Sequence, residues 1–177
     1  MTESKNAPRA ANDAVRGTAQ ITFRTPTSED GVRVWNLIAA CPPLDQNSMY
    51  CNLLQCSHFA DTCVLAERSE KVVGWISAYR PPADHESIFV WQVAVSEEAR
   101  GEGLGKRMLN RLLTLEAVAG VKTLKTTITK DNTASWRLFS SFAQSQSAPI
   151  CDEPFFEKGR HFNGHHDTEH MVTIGPF

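Results

Sequence analysis

The sequence has little of what would place it in a membrane, on nucleic acid or around a structural metal. None of its apolar runs approaches the roughly 18 residues that a membrane-crossing helix needs. Lys and Arg number 18 against 20 Asp and Glu, so the net charge is −2 and the basic face of a nucleic-acid binder is not expected. The five cysteines include no Cys-x-x-Cys pair. We therefore predict no membrane contact, no nucleic-acid partner and no bound metal.

The cysteines and the first residues bear on compartment and domain organisation. An odd number of cysteines in mostly apolar surroundings favours buried reduced thiols over a disulfide framework, which predicts a cytoplasmic protein. The first twenty residues, MTESKNAPRAANDAVRGTAQ, lack the apolar centre of a signal peptide. We expect residues 1–19 to form a disordered leader and residues 20–177 to form one domain with a continuous core.

Hydrophobic periodicity predicts an α/β (α+β) chain with the element order β-α-α-β-β-β-α-β-α-β-β. Strands are expected at 20–25, 62–67, 72–80, 87–95 and 123–128, with two more between 150 and 174 around a loop rich in His and Glu. A helix should follow Ser28, others should span about 47–59 and 132–142, and one should follow the glycine-rich segment. The core-facing helix positions are expected to be Val32, Trp35, Ile38, Ala39, Met49, Leu53, Cys56, Leu104, Met108, Leu112, Leu115 and Ala119.

The glycine-rich segment ARGEGLGKR (99–107) follows the most apolar predicted strand. A Walker A loop does not fit, because Gly101 and Gly105 are one residue too close and Arg107 stands where Ser or Thr is needed. A Rossmann fingerprint fails on spacing and on position in the chain. The remaining functional interpretation is a pyrophosphate cradle at a helix start, with Arg100 and Lys106 adding positive charge. The alternative is a flexible loop with no ligand.

The pattern Arg100-Gly101-x-Gly103-x-Gly105 after VWQVAV, followed later by DNTASWRLF, resembles the acetyl-CoA motifs of the Gcn5-related N-acetyltransferase (GNAT) superfamily. The resemblance implies a mixed, mostly antiparallel twisted sheet of about seven strands flanked by four helices, with acetyl-CoA as co-substrate. It implies that the backbone of the strand pairs with pantetheine, that the glycine loop holds the pyrophosphate, and that Asn132 contacts the far side. The implied cofactor-binding residues are Val93, Ala94, Val95, Arg100, Gly101, Gly103, Leu104, Gly105, Lys106 and Asn132.

Further segments resemble one family within that superfamily, the diaminobutyrate acetyltransferases of ectoine biosynthesis. They are CPPLDQNSMYCNLLQCSHFADTCVLAE, WQVAV, TTITKDNTASWRLF and GHHDTEHM. This resemblance implies acetyl transfer to the 4-amino group of L-2,4-diaminobutyrate, giving N4-acetyl-2,4-diaminobutyrate for an ectoine synthase. It also implies a homodimer, which apolar strands near the C-terminus could form by pairing across a two-fold axis.

Amine acetylation needs a neutral amine, donors for the oxyanion and a proton for the leaving thiolate. The amine has a pKa near ~10, so a base or a water chain must remove its proton. The resemblance implies that backbone N–H groups splayed at Val93 meet the oxyanion. Many relatives protonate the thiolate with a Tyr at the position of Phe139. Here Tyr50, water and the ammonium formed in the reaction remain as alternative donors.

A small diamino acid needs carboxylates to hold its ammonium groups. Asp45 is a candidate, with an N-cap of the second helix as its alternative role. Tyr50 and Trp91 are candidates for the same cleft, with core packing as the alternative for both. His166 and Glu169 belong to the densest polar cluster of the C-terminal part, with a solvated loop as the alternative.

The family resemblance favours the functional role for each of these residues. It implies that Asp45, Tyr50, Trp91, His166 and Glu169 bind substrate, and that Val93, Tyr50 and Glu169 take part in catalysis. The solvated loop remains the prediction for His161, His165 and His170, and the two His-x-x-x-His pairs are not interpreted as a metal site. Spacing does not single out Arg24 or Arg80 as partners of the substrate carboxylate.

Three candidate functions remain. The family resemblance implies the first, acetylation of diaminobutyrate, and the second is the same fold acting on another amine, such as a polyamine or a protein N-terminus. The third is an acetyl-CoA sensor without catalysis, which Phe139 supports because the usual acid is absent.

Overall fold

The computed structural model describes residues 20–177, and the predicted leader, residues 1–19, lies outside them. The elements follow one another in the predicted order. The strands are β1 (Thr22–Arg24), β2 (Val64–Arg68), β3 (Lys71–Tyr79), β4 (Ser87–Val95), β5 (Thr123–Thr129), β6 (Ile150–Phe156) and β7 (Glu169–Ile174). The α-helices are α1 (Gly31–Ala39), α2 (Met49–Ser57), α3 (Leu104–Leu113) and α4 (Thr133–Ser145).

All seven strands form one sheet in the order β1-β2-β3-β4-β5-β7-β6. Neighbours are antiparallel except β4 and β5, which are parallel because α3 connects them as a crossover. This confirms the predicted mixed, mostly antiparallel sheet of seven strands with four helices. Within residues 20–177, none of the helices is long and apolar enough to cross a membrane.

Hydrophobic side chains form a core on each face of the sheet. The larger one lies between the sheet and the α3 and α4 helices, and Leu104, Met108 and Phe142 are among its fully buried members. The smaller one lies against α1 and α2 and includes Val34, Ile38 and Trp75. Both faces of the central strands are therefore covered, whereas every residue of the edge strand β6 is exposed.

Four of the predicted core positions on helices are wrong. Val32 is 44% exposed and Ala39 is exposed, because α1 turns the face of Val34, Leu37 and Ile38 to the sheet instead. Met49 is 39% exposed because it is the first residue of α2, and the residues that this helix buries come later in it. Ala119 is exposed because α3 ends at Leu113, before the predicted stripe does.

The cysteines are free thiols, and three of them are buried as predicted. Cys41, Cys56 and Cys63 lie in the smaller core, whereas Cys51 is partly buried and Cys151 is exposed on β6. Burial raises the pKa of the Cys56 and Cys63 thiols to about 12. These two side chains therefore remain protonated and unreactive at neutral pH.

An ion-pair network joins α1 to the edge of the sheet. Asp30 is 2% exposed and accepts hydrogen bonds from Arg24 (2.7 and 2.8 Å), from Arg33 (2.8 Å) and from the backbone N–H of Thr27 (2.8 Å). Glu67 on β2 accepts from the same two arginines. Arg24 is thus committed to this network and is not a partner for substrate. The hydrogen bond from Arg24 holds the pKa of the Asp30 carboxyl well below its usual range.

Asp30→Asn is expected to lower the free energy of unfolding by about 2 kcal/mol at neutral pH, because charge-assisted hydrogen bonds are lost from a buried site. A carboxyl with a depressed folded pKa contributes stability above its unfolded pKa of about 3.9 and loses that stability as pH falls towards its folded value. The difference in unfolding free energy between wild type and variant should therefore shrink below about pH 4. Urea unfolding at neutral pH and below pH 4 measures this difference. Asp61→Asn, at an exposed carboxylate, is the control. An equal deficit at both pH values would contradict this assignment.

Candidate active site

The sheet opens between its two parallel strands. β4 and β5 pair only from Ser87 opposite Thr123 to Phe89 opposite Lys125, although both strands continue beyond these residues. On its other side β4 stays paired with β3 as far as Val95 opposite Gly74. The stretch of β4 that includes Val93 and Val95 therefore turns backbone groups towards β5 without using them in a ladder. This is the splay at Val93 that the family resemblance implied.

A β-bulge at Trp91 marks the point where the strands separate. Val90 lies opposite Ala78 and Gln92 lies opposite Ser77, so Trp91 is an extra residue in β4. Its side chain is 48% exposed, and the predicted alternative of core packing is therefore wrong. Trp91 lines a cavity of about 470 Å³ whose other lining residues are Phe59, Tyr79, Arg80, Pro82, Phe89, Thr127 and Phe156.

The glycine-rich loop meets the N-terminus of α3 with its backbone exposed. Gly101 and Gly103 have φ values of +81° and +68°, and the space beside each Cα is open. The N–H groups in the first turn of α3 have no acceptor within the helix, and the first helical bond joins the Arg107 N–H to the Gly103 carbonyl (3.1 Å). Such a turn binds anions through its N–H groups and through the helix dipole.

The third glycine and the flanking cations have different positions. A Cβ on Gly105 would lie 3.0 Å from Leu138 Cδ1, so this glycine permits close packing of α3 on α4. Arg100 is exposed, and its Nε lies 3.4 Å from the Val95 carbonyl oxygen at the end of β4. Lys106 donates to Ser141 Oγ at 3.3 Å. Arg100 thus lies towards the end of β4, and Lys106 lies towards α4.

Gly103→Ala is expected to weaken acetyl-CoA binding about tenfold, because a Cβ strains the left-handed backbone and intrudes where an anion would approach. Gly159→Ala is the matched control, since Gly159 lies in open space without a positive φ. Titration of each variant with acetyl-CoA by calorimetry measures the effect. Equal affinities for the two variants would show that the loop does not hold the pyrophosphate.

Two residues of the downstream motif have structural positions. Asn132 caps α4, with its Oδ1 accepting the Ser135 N–H at 3.1 Å, and its side chain is exposed. A further contact of Asn132 with acetyl-CoA stays a prediction. Phe139 is 3% exposed and belongs to the larger core. The residue at the position of the usual acid therefore packs against the sheet and supplies no proton.

Asp45 lies in the loop between α1 and α2, where its side chain is exposed. The predicted alternative of an N-cap is wrong, because Ser48 caps α2 by accepting the Cys51 N–H at 3.1 Å. Gln92 Nε2 instead donates to the backbone carbonyl of Asp45 at 2.8 Å. That bond holds Asp45 beside the opened part of β4. It does not involve the Asp45 carboxylate, which stays free to bind a substrate.

Glu169 begins β7, opposite Thr129 of β5. Its side chain is 19% exposed, and Oε2 is buried without a hydrogen-bond partner among the described residues. Burial raises the pKa of this carboxyl, the charge of His166 opposes the rise, and the charge of Asp45 adds to it. Asp45, whose backbone is bonded to Gln92 on β4, and Glu169, opposite Thr129 on β5, thus lie on the two sides of the opened part of the sheet. His166 Nε2 lies 3.8 Å from Glu169 Oε1.

The tyrosine and histidine side chains considered in the sequence analysis differ in exposure. Tyr50 is 69% exposed on the first turn of α2, so the core-packing alternative is wrong. His161 and His165 are exposed, as predicted. The prediction for His170 is wrong, because it is 5% exposed within β7 with Nδ1 2.9 Å from Asp152 Oδ2. Between residues 20 and 177, no three His, Cys, Asp or Glu side chains come together as metal ligands would.

Residues missed in the sequence also border the site. Gln92 donates to the backbone carbonyl of Asp45 and Thr127 lines the cavity, and a polar residue within an apolar strand was the one available signal for Gln92. Arg80 lines the cavity but donates to the carbonyls of His85 (2.8 Å), Ala117 (2.8 Å) and Ala119, so it ties loops together. The site therefore combines an anion-binding turn, an opened strand and a carboxyl of raised pKa, which together suit proton removal from an amine beside a bound thioester.

Comparison with known proteins identifies the relatives of the chain. A model of the acetyltransferase (GNAT) family matches residues 31–143. The chain is 50% identical over 152 residues to the L-2,4-diaminobutyric acid acetyltransferase of Vibrio cholerae, covering 86% of this chain and 88% of that protein. It is 48% identical over 157 residues to the enzyme of that name from Methylotuvimicrobium alcaliphilum, covering 89% and 91%.

Solved structures show the same likeness. Diaminobutyrate acetyltransferase EctA from Paenibacillus lautus, in complex with its substrate L-2,4-diaminobutyric acid and coenzyme A, superposes with a TM-score of 0.85 at 40% identity, covering 89% of this chain and 96% of that chain. The ribosomal-protein-S18-alanine N-acetyltransferase of Escherichia coli superposes with a TM-score of 0.62 at 14% identity, covering 89% and 94%. At that lower identity the likeness extends to the fold alone.

Proposed function

The chain belongs to the L-2,4-diaminobutyric acid acetyltransferases of the GNAT family, and we propose that it transfers the acetyl group of acetyl-CoA to the 4-amino group of L-2,4-diaminobutyrate. The observation that carries the proposal is the opening between β4 and β5, which has the Asp45 loop bonded to Gln92 on the β4 side and Glu169 opposite Thr129 on the β5 side. A carboxylate on each side of the opening suits an acceptor with two ammonium groups.

Acetyl-CoA, when bound, supplies a thioester as the acetyl donor. The loop that contains Gly101 and Gly103, together with the first turn of α3 that follows it, holds the pyrophosphate through backbone N–H groups. The backbone of Val93 and Val95 binds the pantetheine arm along the free side of β4. The N–H groups beside Val93 donate to the thioester carbonyl oxygen and stabilise the negative charge that develops there.

Glu169 accepts the proton of the 4-ammonium group and so converts it into the nucleophile. Its raised pKa brings its basicity closer to neutral pH than that of an ordinary carboxylate, which favours proton transfer. Asp45 holds the other ammonium group, and His166 moderates the negative charge of the pair. Trp91 supplies the apolar wall of the cleft, and Tyr50, exposed on α2, is the phenol that we assign to protonation of the CoA thiolate.

Product identification tests the position of transfer. We expect NMR of the product to show an amide at N4 and a free 2-ammonium group. Acetylation at N2 would overturn the proposed orientation of the substrate between Asp45 and Glu169. Tight binding of acetyl-CoA without turnover on any amine would instead favour the sensor.

Pathway, compartment and assembly belong to the same proposal. N4-acetyl-2,4-diaminobutyrate is the compound that an ectoine synthase would cyclise, so we assign the reaction to ectoine biosynthesis and osmoprotection in the cytoplasm. We also propose a homodimer, because the edge strand β6 exposes Ile150 (37%), Phe155 (43%) and Phe156 (41%). Light scattering during size exclusion should give a mass near twice 19.7 kDa, and the mass of a monomer would contradict the dimer.

A further inference from the structure

Gln92 is a buried polar residue at the point where the sheet opens. It is 9% exposed, follows the bulge residue Trp91 and precedes Val93 on β4. Trp75 lies opposite Ala94, and both belong to the smaller core. Ser77 lies opposite Gln92, two residues away along each strand. Because side chains alternate along a strand, Gln92 faces the same layer, towards α2. A polar side chain at such a site is costly unless its hydrogen bonds are used.

Its amide nitrogen contacts the acceptor side of the site. Gln92 Nε2 donates to the Asp45 carbonyl at 2.8 Å, and Trp35 Nε1 of α1 donates to the Asn47 carbonyl at 3.2 Å. These two bonds hold the loop between α1 and α2 at positions two residues apart. Both bonds use backbone carbonyl oxygens as acceptors. They therefore fix the position of the Asp45 backbone without neutralising the charge of its carboxylate.

The amide oxygen of Gln92 lies in a layer with further uncommitted polar atoms. Gln92 Oε1, Ser77 Oγ, Asn52 Oδ1 and Gln55 Nε2 are all buried and have no hydrogen-bond partner among the described residues. Asn52 is on the same face of α2 as Cys56, four residues later, which packs in the smaller core. Buried polar groups without partners are costly, which favours a task for these amides besides packing.

We propose that Gln92 is a positioning residue, which sets the distance between the Asp45 loop and the acetyl-bearing part of β4 and thereby the fit of the diamino acid. This inference rests on the proposed function. β4 then positions both substrates. Its backbone beside Val93 meets the thioester, and the neighbouring side chain of Gln92 holds the loop that carries Asp45. A loop released from β4 would leave acetyl-CoA binding intact and misplace the amine.

The test is steady-state kinetics of Gln92→Met, which keeps the shape of the side chain and removes the donor. The KM for diaminobutyrate should rise about tenfold, because substrate binding must then also order the released Asp45 loop. The KM for acetyl-CoA should change little, and the thermal midpoint should fall by no more than the few degrees that loss of one internal hydrogen bond costs. The matched control is Gln146→Met, because Gln146 Nε2 donates to Asn110 Oδ1 at 2.8 Å on a distant exposed surface.

Each other outcome is decisive. An unchanged KM for diaminobutyrate would overturn the proposal, and so would parallel losses in acetyl-CoA affinity and thermal stability. Should Gln92→Met fail to fold, Gln92→Leu carries the test, since Leu is also uncharged and has no donor for the Asp45 carbonyl. If the wild-type enzyme prefers another amine, the proposed substrate fails separately, and the KM comparison is then made with that amine.

Discussion

Glu169→Gln is expected to lower kcat about 10²- to 10⁴-fold, the range that a positioned general base contributes. The amide keeps the size of the side chain but cannot accept the ammonium proton at neutral pH. Acetyl-CoA binding should be unaffected, because the glycine-rich loop and the opened stretch of β4 form that part of the site. Rapid-quench or steady-state measurement of CoA release gives kcat directly.

The pH profile separates a base from a merely structural carboxylate. Burial raises the pKa of Glu169, and a base works only when ionised, so activity should fall as pH drops through that raised value. The acidic limb of the profile for kcat/KM should therefore lie above the ordinary carboxyl range and vanish in Glu169→Gln. Glu116→Gln, at an exposed carboxylate far along the chain, is the control. An identical acidic limb in wild type and Glu169→Gln would contradict the assignment.

Asp45→Ala is expected to raise the KM for diaminobutyrate at least tenfold, because a charge-assisted hydrogen bond to the second ammonium group is lost. The affinity for acetyl-CoA should stay as in the wild type. Since Ser48 caps α2, the thermal midpoint should also change little. Asp61→Ala, at an exposed carboxylate, controls for the loss of one surface charge.

Parallel measurement of both substrates decides the role of Asp45. A loss confined to diaminobutyrate places Asp45 at the acceptor. Equal losses for diaminobutyrate and acetyl-CoA would mean that Asp45 maintains the loop and does not contact substrate.

Sequence patterns predicted the sheet well because its signals are local. Alternation in β1, the apolar run of β4 and the glycines before α3 are patterns among neighbouring residues, and the element order followed from patterns of this kind. Helix faces were less predictable, as Val32 and Met49 show. Which side of a helix is buried depends on how it crosses the sheet, and the short α1 and α2 carry apolar residues on more than one side.

Long-range contacts explain the other differences. His170 is adjacent to polar residues in the chain, yet β7 inserts between β5 and β6 and buries it against Asp152. Gln92 gains its partner from a loop 47 residues away, and no local spacing encodes that bond. The placement of Asp45 beside β4 and of Glu169 beside β5 has the same origin, because these residues come from the first and last thirds of the domain.

The account depends most on the identity of the acceptor, so the decisive measurement is CoA release from acetyl-CoA with diaminobutyrate, ornithine, spermidine and a peptide N-terminus in parallel. We expect release mainly with diaminobutyrate, because Asp45 and Glu169 leave a compact site for a short diamino acid. Faster release with spermidine or the peptide would contradict that site while leaving the fold and acetyl-CoA loop in place. CoA release with none of the four amines, despite bound acetyl-CoA, would contradict catalysis itself.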